Sequence, residues 1–302
     1  MTQPTSSPMI WLAGTRLPFA TASLTAALVG IAAASGHPGF SWTAAVLALA
    51  GALFLHLSAN TFNDWVDWNA TDRVNLHASP FNGGSRARLE GRIDRRAFLI
   101  MGVGFLGAAL GCGVALVALG RAEILWLGLA GAFLGAAYSL PPFSLQARGF
   151  GELAIWLAFG PLLTLGTALA ACGESAWPSF LVGLPAGLLT TAILYINQFP
   201  DHDADDAVGK HHWVVRLGTA RARGPYLAMT GLAAVLTVAL VLAGVLPGWS
   251  LLSLAGYLPL IPAGRSLWRH HAEPALLVPA QQGTIAAQAL SQAILAATLF
   301  FG

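Results

Sequence analysis

Seven of the 13 acidic residues in this 302-residue chain fall in two short segments. The first reads Asn60-Thr-Phe-Asn63-Asp64-Trp-Val-Asp67-Trp-Asn-Ala-Thr-Asp72. The second reads Asn197-Gln-Phe-Pro-Asp201-His-Asp203-Ala-Asp205-Asp206, with Gly209-Lys210 just beyond it. On a continuous helix Asn60, Asp64 and Asp67 share one face, at spacings of four and three, and Asp201 and Asp205 are likewise four apart. Like charges gathered on one face repel unless a hard cation sits among them. Mg²⁺ takes oxygen ligands, keeps several waters, and is usually shared between a few carboxylates and substrate phosphate. Two such segments facing each other across a cavity suit two metal ions with a diphosphate between them. Polar helix ends at a water interface would explain loop acids in general, but not two Asn-plus-repeated-Asp segments in equivalent places.

Basic residues stand beside each segment. The first continues into Asn82-Gly83-Gly84-Ser85-Arg86-Ala-Arg88, then Glu90-Gly91-Arg92. Two glycines let the backbone approach a phosphate, and arginine binds its oxygens in a bidentate fork. Arg86 and Lys210 are the expected phosphate contacts. Arg88, Arg92, Arg95 and Arg96 are explained equally well as part of a general basic excess on one side of a membrane.

The elements that carry these residues follow from the scarcity of charge. Charged residues make up 9% of the chain and hydrophobic ones 56%, against about 25% charged in an ordinary soluble domain. This excludes a soluble globular enzyme, a disordered chain and a nucleic-acid binder. Cys112 and Cys172 form neither a disulfide framework nor a metal-ligand spacing. Asp, Glu, Lys and Arg are absent from 17–63, 97–120, 124–147, 153–173, 175–200, 224–264 and 274–302. A spanning helix needs about 20 apolar residues. The stretch 17–63 holds two, broken at Gly36-His37-Pro38-Gly39, and 224–264 holds two, broken at Pro247-Gly248. The expectation is an all-α, polytopic membrane protein of nine helices. Its least regular spans are the eighth, with Pro259 and Pro262, and the ninth, with Gln281, Gln282, Gln288 and Gln292. Nine spans place 14 of the 15 basic residues on the side of the N-terminus and only Arg121 on the other. By the positive-inside rule the N-terminus and the long loops at roughly 64–96 and 199–224 are cytoplasmic, and the C-terminus lies outside. The two acid-bearing loops follow the second and sixth helices. The chain then reads as one membrane domain, with two four-helix halves at about 10–147 and 152–264 and a final helix at about 282–300.

With these residues in place, the chain resembles the UbiA superfamily of intramembrane prenyltransferases. NDWVDWNATD is similar to that family's first aspartate motif and NQFPDHDADDAVGK to its second. WLAGTRLPF at Trp11–Phe19, NGGSRARLEG after the first motif, YSLPPFSLQARGFGEL at Tyr138–Leu153 and VVRLG at Val214–Gly218 extend the likeness over most of residues 10–220. Beyond 220 only the hydrophobic pattern agrees. The resemblance implies helices around a central cavity open to the membrane, and Mg²⁺-dependent transfer of a prenyl chain from its diphosphate to an acceptor. It implies Asp64, Asp67, Asp72, Asp201 and Asp205 as catalytic residues, with Asn60, Asp64, Asp67, Asp201 and Asp205 as metal ligands. It further implies Asn60, Asn63, Arg86, Asn197 and Lys210 as substrate contacts, and Tyr138 and Tyr195 are counted with them. Asp72 is read as a supporting group or an acceptor contact. The 1,4-dihydroxy-2-naphthoate polyprenyltransferases of menaquinone synthesis look most similar, from the Asn-x-x-Asn-Asp-x-x-Asp start and the Gly-Lys after the second motif. Pro200 stands where many members carry Arg, and His211-His212 replaces a basic-Thr pair.

The expected partners are therefore a prenyl diphosphate, an aromatic acceptor and the lipid of a bacterial-type cytoplasmic membrane. The alternatives are another acceptor such as 4-hydroxybenzoate, and a cation-coupled transporter built on repeated halves. A CDP-alcohol phosphotransferase ranks below these, because its single compact motif does not match two motifs 137 residues apart (Asp64 to Asp201). Aromatic residues near the acids, namely Phe62, Trp65, Trp68, Tyr138, Tyr195 and Phe199, could flank an allylic cation, although packing explains each one alone. His202, His211, His212, His270 and His271 read as solvated loop histidines. Glu152 reads as a helix cap, and His56 as either a packed polar residue or a cavity contact. Trp126, Trp177 and Trp249 fit an aromatic belt at the outer face.

Overall fold

The structure is a computed structural model and describes residues 11, 14–67, 74–77, 79, 81–85, 91–173 and 176–301. Asp72, Arg86, Arg88 and Trp68 lie outside the described residues. Within them the chain is helical, and an isolated bridge between Ser79 and Asn82 is the only β pairing. The order is α1 (Leu17–Ala34), α2 (Trp42–Val66), α3 (Arg95–Ala118), α4 (Ile124–Ser139), α5 (Gly151–Cys172), α6 (Trp177–Ala207), α7 (Trp213–Leu242), 3₁₀ turns over Gly248–Tyr257, α8 (Leu260–His270) and α9 (Val278–Phe301).

Seven helical segments among the described residues are long and apolar enough to cross a membrane: α1, α2, α3, α5, α6, α7 and Pro274–Phe301. α4 is apolar but has only 16 residues. The eighth stretch is not one regular helix. It begins as 3₁₀ turns after Pro247-Gly248, and α8 follows Pro259 with 11 residues. Glutamines do not break α9. Gln281, Gln288 and Gln292 turn inward and are buried, while Gln282 faces out. In lipid a helix satisfies its own backbone, so side chains need only match their surroundings. The outward faces do so: Leu110, Val114, Trp126, Val235 and Leu242 are exposed, the reverse of a water-soluble surface.

Small residues set the spacing of the bundle. In α5, Pro161 lies within a π-helical turn, Ala158–Leu162. Gly160 in that turn meets the α6 backbone at Gly183 and Gly187 so closely that a Cβ on any of the three would collide. α6 itself runs unbroken through Pro185 and Pro200 to Ala207, so Pro200 does not restart the helix and the second acidic segment stays helical. Side chains mark three helix starts. Ser41 accepts from Ala44 N–H, Asp94 from Ala97 N–H at 2.7 Å, and His212 Nδ1 from Val215 N–H.

The two ends of the bundle differ. At one end the link between α1 and α2 is tied to the rest: Ser41 N–H donates to Ala171 O at 2.8 Å, and Arg121 Nη2 to Gly39 O at 2.9 Å. Trp126, Trp177 and Trp249 are exposed at helix starts on this side. The ends of α2 and α6, with the aspartates, are at the other.

Candidate active site

α2 ends at Val66, so Asn60, Asn63 and Asp64 occupy its last two turns and Asp67 its C-cap. Asp64 is fully buried. Arg16 Nη2 lies 2.6 Å from its Oδ1, and Ser85 N–H donates to its Oδ2 at 3.1 Å. Arg16 has left-handed backbone, φ 51 and ψ 42, just before α1. This conformation costs a non-glycine residue about 1–2 kcal/mol, and it accompanies the contact with Asp64.

The second segment comes off the last turns of α6. Gly209, with φ +78, turns the chain so that Lys210 comes back over the site. Lys210 Nζ stands 2.9 Å from Asp67 Oδ2 and 3.7 Å from Asp205 Oδ1. One ammonium thus joins the two acidic segments, with Lys210 143 residues from Asp67 in sequence. Asp205 is held on its other oxygen by His212 Nε2 at 3.0 Å. His212 Nδ1 accepts from Val215 N–H, so Nε2 carries the proton donated to Asp205. His212 is therefore not a solvated loop histidine: it is buried, and it links α7 to the acidic segment.

Asp201 faces the loop after α2. Its Oδ1 accepts from Asn75 Nδ2 and Asn82 Nδ2, each at 2.5 Å. Ser79 bonds Asn82, and Phe81 N–H donates to Ser79 Oγ at 3.1 Å. Asn197 accepts from Gln281 Nε2 at 3.0 Å, which ties it to α9. Asn60 Nδ2 donates to Thr15 O at 3.2 Å. Asn63 Nδ2 donates to Ser139 Oγ at 3.0 Å and to Gln146 Oε1 at 3.3 Å. Tyr138 precedes Ser139, which accepts from Asn63, and its ring lies against Gly151. Tyr195 is fully buried against Phe199 and Trp213, in a packed cluster with Ile196, Tyr226 and Leu267. Trp65 lies under the Arg95 guanidinium, 4.8 Å from its centre, and against Ile93 and Phe98.

Arg16, Asn75, Asn82, Gln146, Glu152 and His212 complete the arrangement, and none of their roles was legible in the sequence. Arg16 stood there only as a topology marker. Glu152 makes no cap for its own helix; its carboxylate accepts from Gln198 and from the backbone of Trp213. His56 bonds Ser23 Oγ through Nδ1 at 2.6 Å and packs edge-on to Phe159, deeper in the bundle than Asn60.

Among the described residues no three His, Cys, Asp or Glu side chains form a closed metal site. The donor set nevertheless fits a hard divalent cation carried by a phosphate: aspartate and asparagine oxygens from two elements, with protein cations beside them. Mg²⁺ keeps waters and substrate oxygens in its sphere and does not require an all-protein cage.

The profile of the UbiA prenyltransferase family matches residues 23–278. The chain is 32% identical over 243 residues to a 1,4-dihydroxy-2-naphthoate octaprenyltransferase of Mycobacterium tuberculosis, covering 77% of this chain and 78% of that one. It is 30% identical over 216 residues to a 2-carboxy-1,4-naphthoquinone phytyltransferase of Synechocystis, covering 70% and 66%. Among solved structures, a UbiA homolog from Aeropyrum pernix superposes with TM-score 0.66 at 21% identity, covering 90% of this chain and 96% of that one. A UbiA homolog from Archaeoglobus fulgidus bound to GPP and Mg²⁺ gives 0.60 at 18% identity, covering 95% and 99%. These two share its fold. Long apolar helices, lipid-matched surfaces and a profile match over most of its length together assign the chain: it is an integral, multi-pass membrane enzyme of the UbiA prenyltransferase family.

Proposed function

We propose that this chain transfers a polyprenyl group from its diphosphate to 1,4-dihydroxy-2-naphthoate, in menaquinone synthesis, with Mg²⁺. The observation that carries the reading is Lys210, which lies within reach of both Asp67 and Asp205 and so brings the two distant motifs to one place beside a cation. The acceptor rests on the names of the relatives in Mycobacterium tuberculosis and Synechocystis.

Each part has a physical task. Asn60, Asp64, Asp67, Asp201 and Asp205 would hold the metal. When bound, Mg²⁺ neutralises charge developing on the leaving diphosphate and so eases rupture of the allylic C–O bond. Lys210 and Arg16 donate to phosphate oxygens as that charge grows. Arg86 and Asp72, outside the described residues, are assigned to the phosphate and to the acceptor respectively. Asn63 and Asn197 orient the substrates at the end of the cavity, and Tyr138 borders it. The buried setting excludes water, which would otherwise capture an allylic cation. The apolar bundle admits the prenyl tail from the bilayer. We assign nine spans, with α4 as the fourth and the 3₁₀ turns plus α8 as the eighth. The acid-bearing end faces the cytoplasm.

The test is a product assay. Purified protein receives one polyprenyl diphosphate and a mixture of aromatic acceptors, and products are weighed by mass spectrometry. The expected result is a prenylated 1,4-naphthohydroquinone, weighed as such or as the quinone that air oxidation makes of it, abolished by EDTA and restored by Mg²⁺. Prenylated 4-hydroxybenzoate without a prenylated naphthalene product overturns the acceptor, and full activity in EDTA overturns the metal.

A further inference from the structure

Glu152 sits in the first turn of α5 and is 2% exposed. Its Oε1 accepts two hydrogen bonds, from Gln198 Nε2 at 3.1 Å and from Trp213 N–H at 3.2 Å. The two donors bracket residues 199–212, the segment that carries Asp201, Asp205, Lys210 and His212. Gln198 lies three residues before Asp201 on α6. Trp213 follows His212, which bonds Asp205, and is the first residue of α7. A single carboxylate oxygen therefore ties the last turns of α6 to the start of α7.

Burying a carboxylate is costly unless several donors and charges compensate it. Here the compensation is incomplete. Glu152 Oε2 makes no hydrogen bond, nor does the hydroxyl of Tyr195, one turn before Gln198. A packed apolar side chain would serve fold stability better. What the carboxylate supplies is two directed, charge-assisted bonds at one end of two helices that otherwise meet through apolar packing and the His212–Asp205 contact. Glu152 is also linked to the site itself, because Trp213, whose amide it accepts from, follows His212, which bonds Asp205. The Tyr138 ring lies against Gly151, its neighbour in sequence.

We propose that Glu152 is a positioning residue: through Gln198 and the Trp213 amide it fixes the ends of α6 and α7, and so holds Asp205, His212 and Lys210 where they meet Asp67. The proposal rests on the reading of Asp67, Asp205 and Lys210 as the diphosphate site. Its first test does not depend on that reading.

Hydrogen–deuterium exchange is measured on the full-length protein in detergent, without metal or substrate, for wild type, Glu152→Gln, Glu152→Ala and Gln198→Leu. Peptides covering 199–212 should exchange about tenfold faster in Glu152→Ala, as expected for loss of a hydrogen bond to a charged group. Gln198→Leu should change the same peptides, and Glu152→Gln, which keeps an acceptor oxygen, should stay near wild type. Peptides of α2 and α3 should not change. In the transfer assay Glu152→Ala should raise KM for the prenyl diphosphate and the Mg²⁺ needed for half-maximal rate by about tenfold. KM for the acceptor and kcat should hold, and Glu152→Gln should recover the loss. Wild-type exchange in both Glu152→Ala and Gln198→Leu overturns the proposal. So does a Glu152→Gln variant with normal exchange and a kcat as low as that of Glu152→Ala, since charge at the reacting atoms would then be the role. Absence of any transfer by wild type would defeat the functional reading alone and leave the exchange result to decide the clip.

Discussion

Lys210 is one cation serving two acids, and its removal should separate their effects. Lys210→Met leaves Asp67 and Asp205 facing each other without an intervening charge. A hydrogen bond to a charged group is worth about 1.5–3 kcal/mol, so KM for the prenyl diphosphate should rise about 10- to 100-fold. Steady-state kinetics at saturating acceptor check this; an unchanged KM would remove Lys210 from the site. Asp64→Ala and Asp201→Ala should each abolish transfer while the protein still elutes as a folded species in detergent. At this scale the sequence was legible where chemistry repeats locally: four aspartates and a lysine, all within two segments. It was not legible where a partner is distant. Arg16 reaches Asp64 across 48 positions, and Glu152 reaches Trp213 across 61. Local rules read Glu152 as a cap and His212 as solvated because no nearby residue announces the donor or carboxylate each one meets. Asn75 gave no signal, and Asn82 stood only at the head of the NGGSRARLEG segment, since a loop asparagine looks the same whether or not it bonds an aspartate.

Helices α5 and α6 approach through backbone at Gly160, Gly183 and Gly187. Gly183→Leu drives a side chain into the Gly160–Pro161 backbone, and overpacking of this kind costs about 1–3 kcal/mol. A thermal melt in detergent should show a lower midpoint. Gly104→Ala, where a Cβ meets open space on α3, should leave it unchanged. The two prolines of these helices behave differently. Pro161 coincides with a π turn, whereas α6 continues through Pro200. Sequence marks a proline as a break, but neighbouring helices determine whether the chain bends. The same holds for α9: its glutamines weaken a hydropathy reading, yet Gln281 and Gln288 find partners on Asn197 and on Thr25, inside the bundle. The eighth stretch matched its sequence better, as three prolines and two glycines over 247–262 accompany 3₁₀ turns and a short helix.

For the whole molecule, the proposed orientation rests on charge. Among the described residues Arg16, Arg95 and Lys210 lie at the end that carries the aspartates, and Arg121 is bound at the other. A reporter active only in the cytoplasm should be active when fused to the N-terminus or inserted in the loop after α2, and inactive at the C-terminus. Activity at the C-terminus would overturn the nine-span assignment. The all-helical, multi-span class was legible because lipid leaves so few places for a charge; the count of nine and the division into halves remain part of the proposal. Packing angles and close contacts were not, since Ala and Gly look alike to a hydropathy scale.

The clasp at the Arg121 end has a mechanical consequence. Ser41 to Ala171 and Arg121 to Gly39 pin the root of α2 to its neighbours, while its tip bears Asp64 and Asp67. With 25 residues, α2 is a lever about 37 Å long at 1.5 Å per residue. A tilt of about 5° about the pinned root moves the tip by about 3 Å over that length, on the order of a salt-bridge distance. Small changes in helix tilt are thus magnified at the acidic tip, where Arg16 and Lys210 close over the aspartates, and scarcely felt at the root.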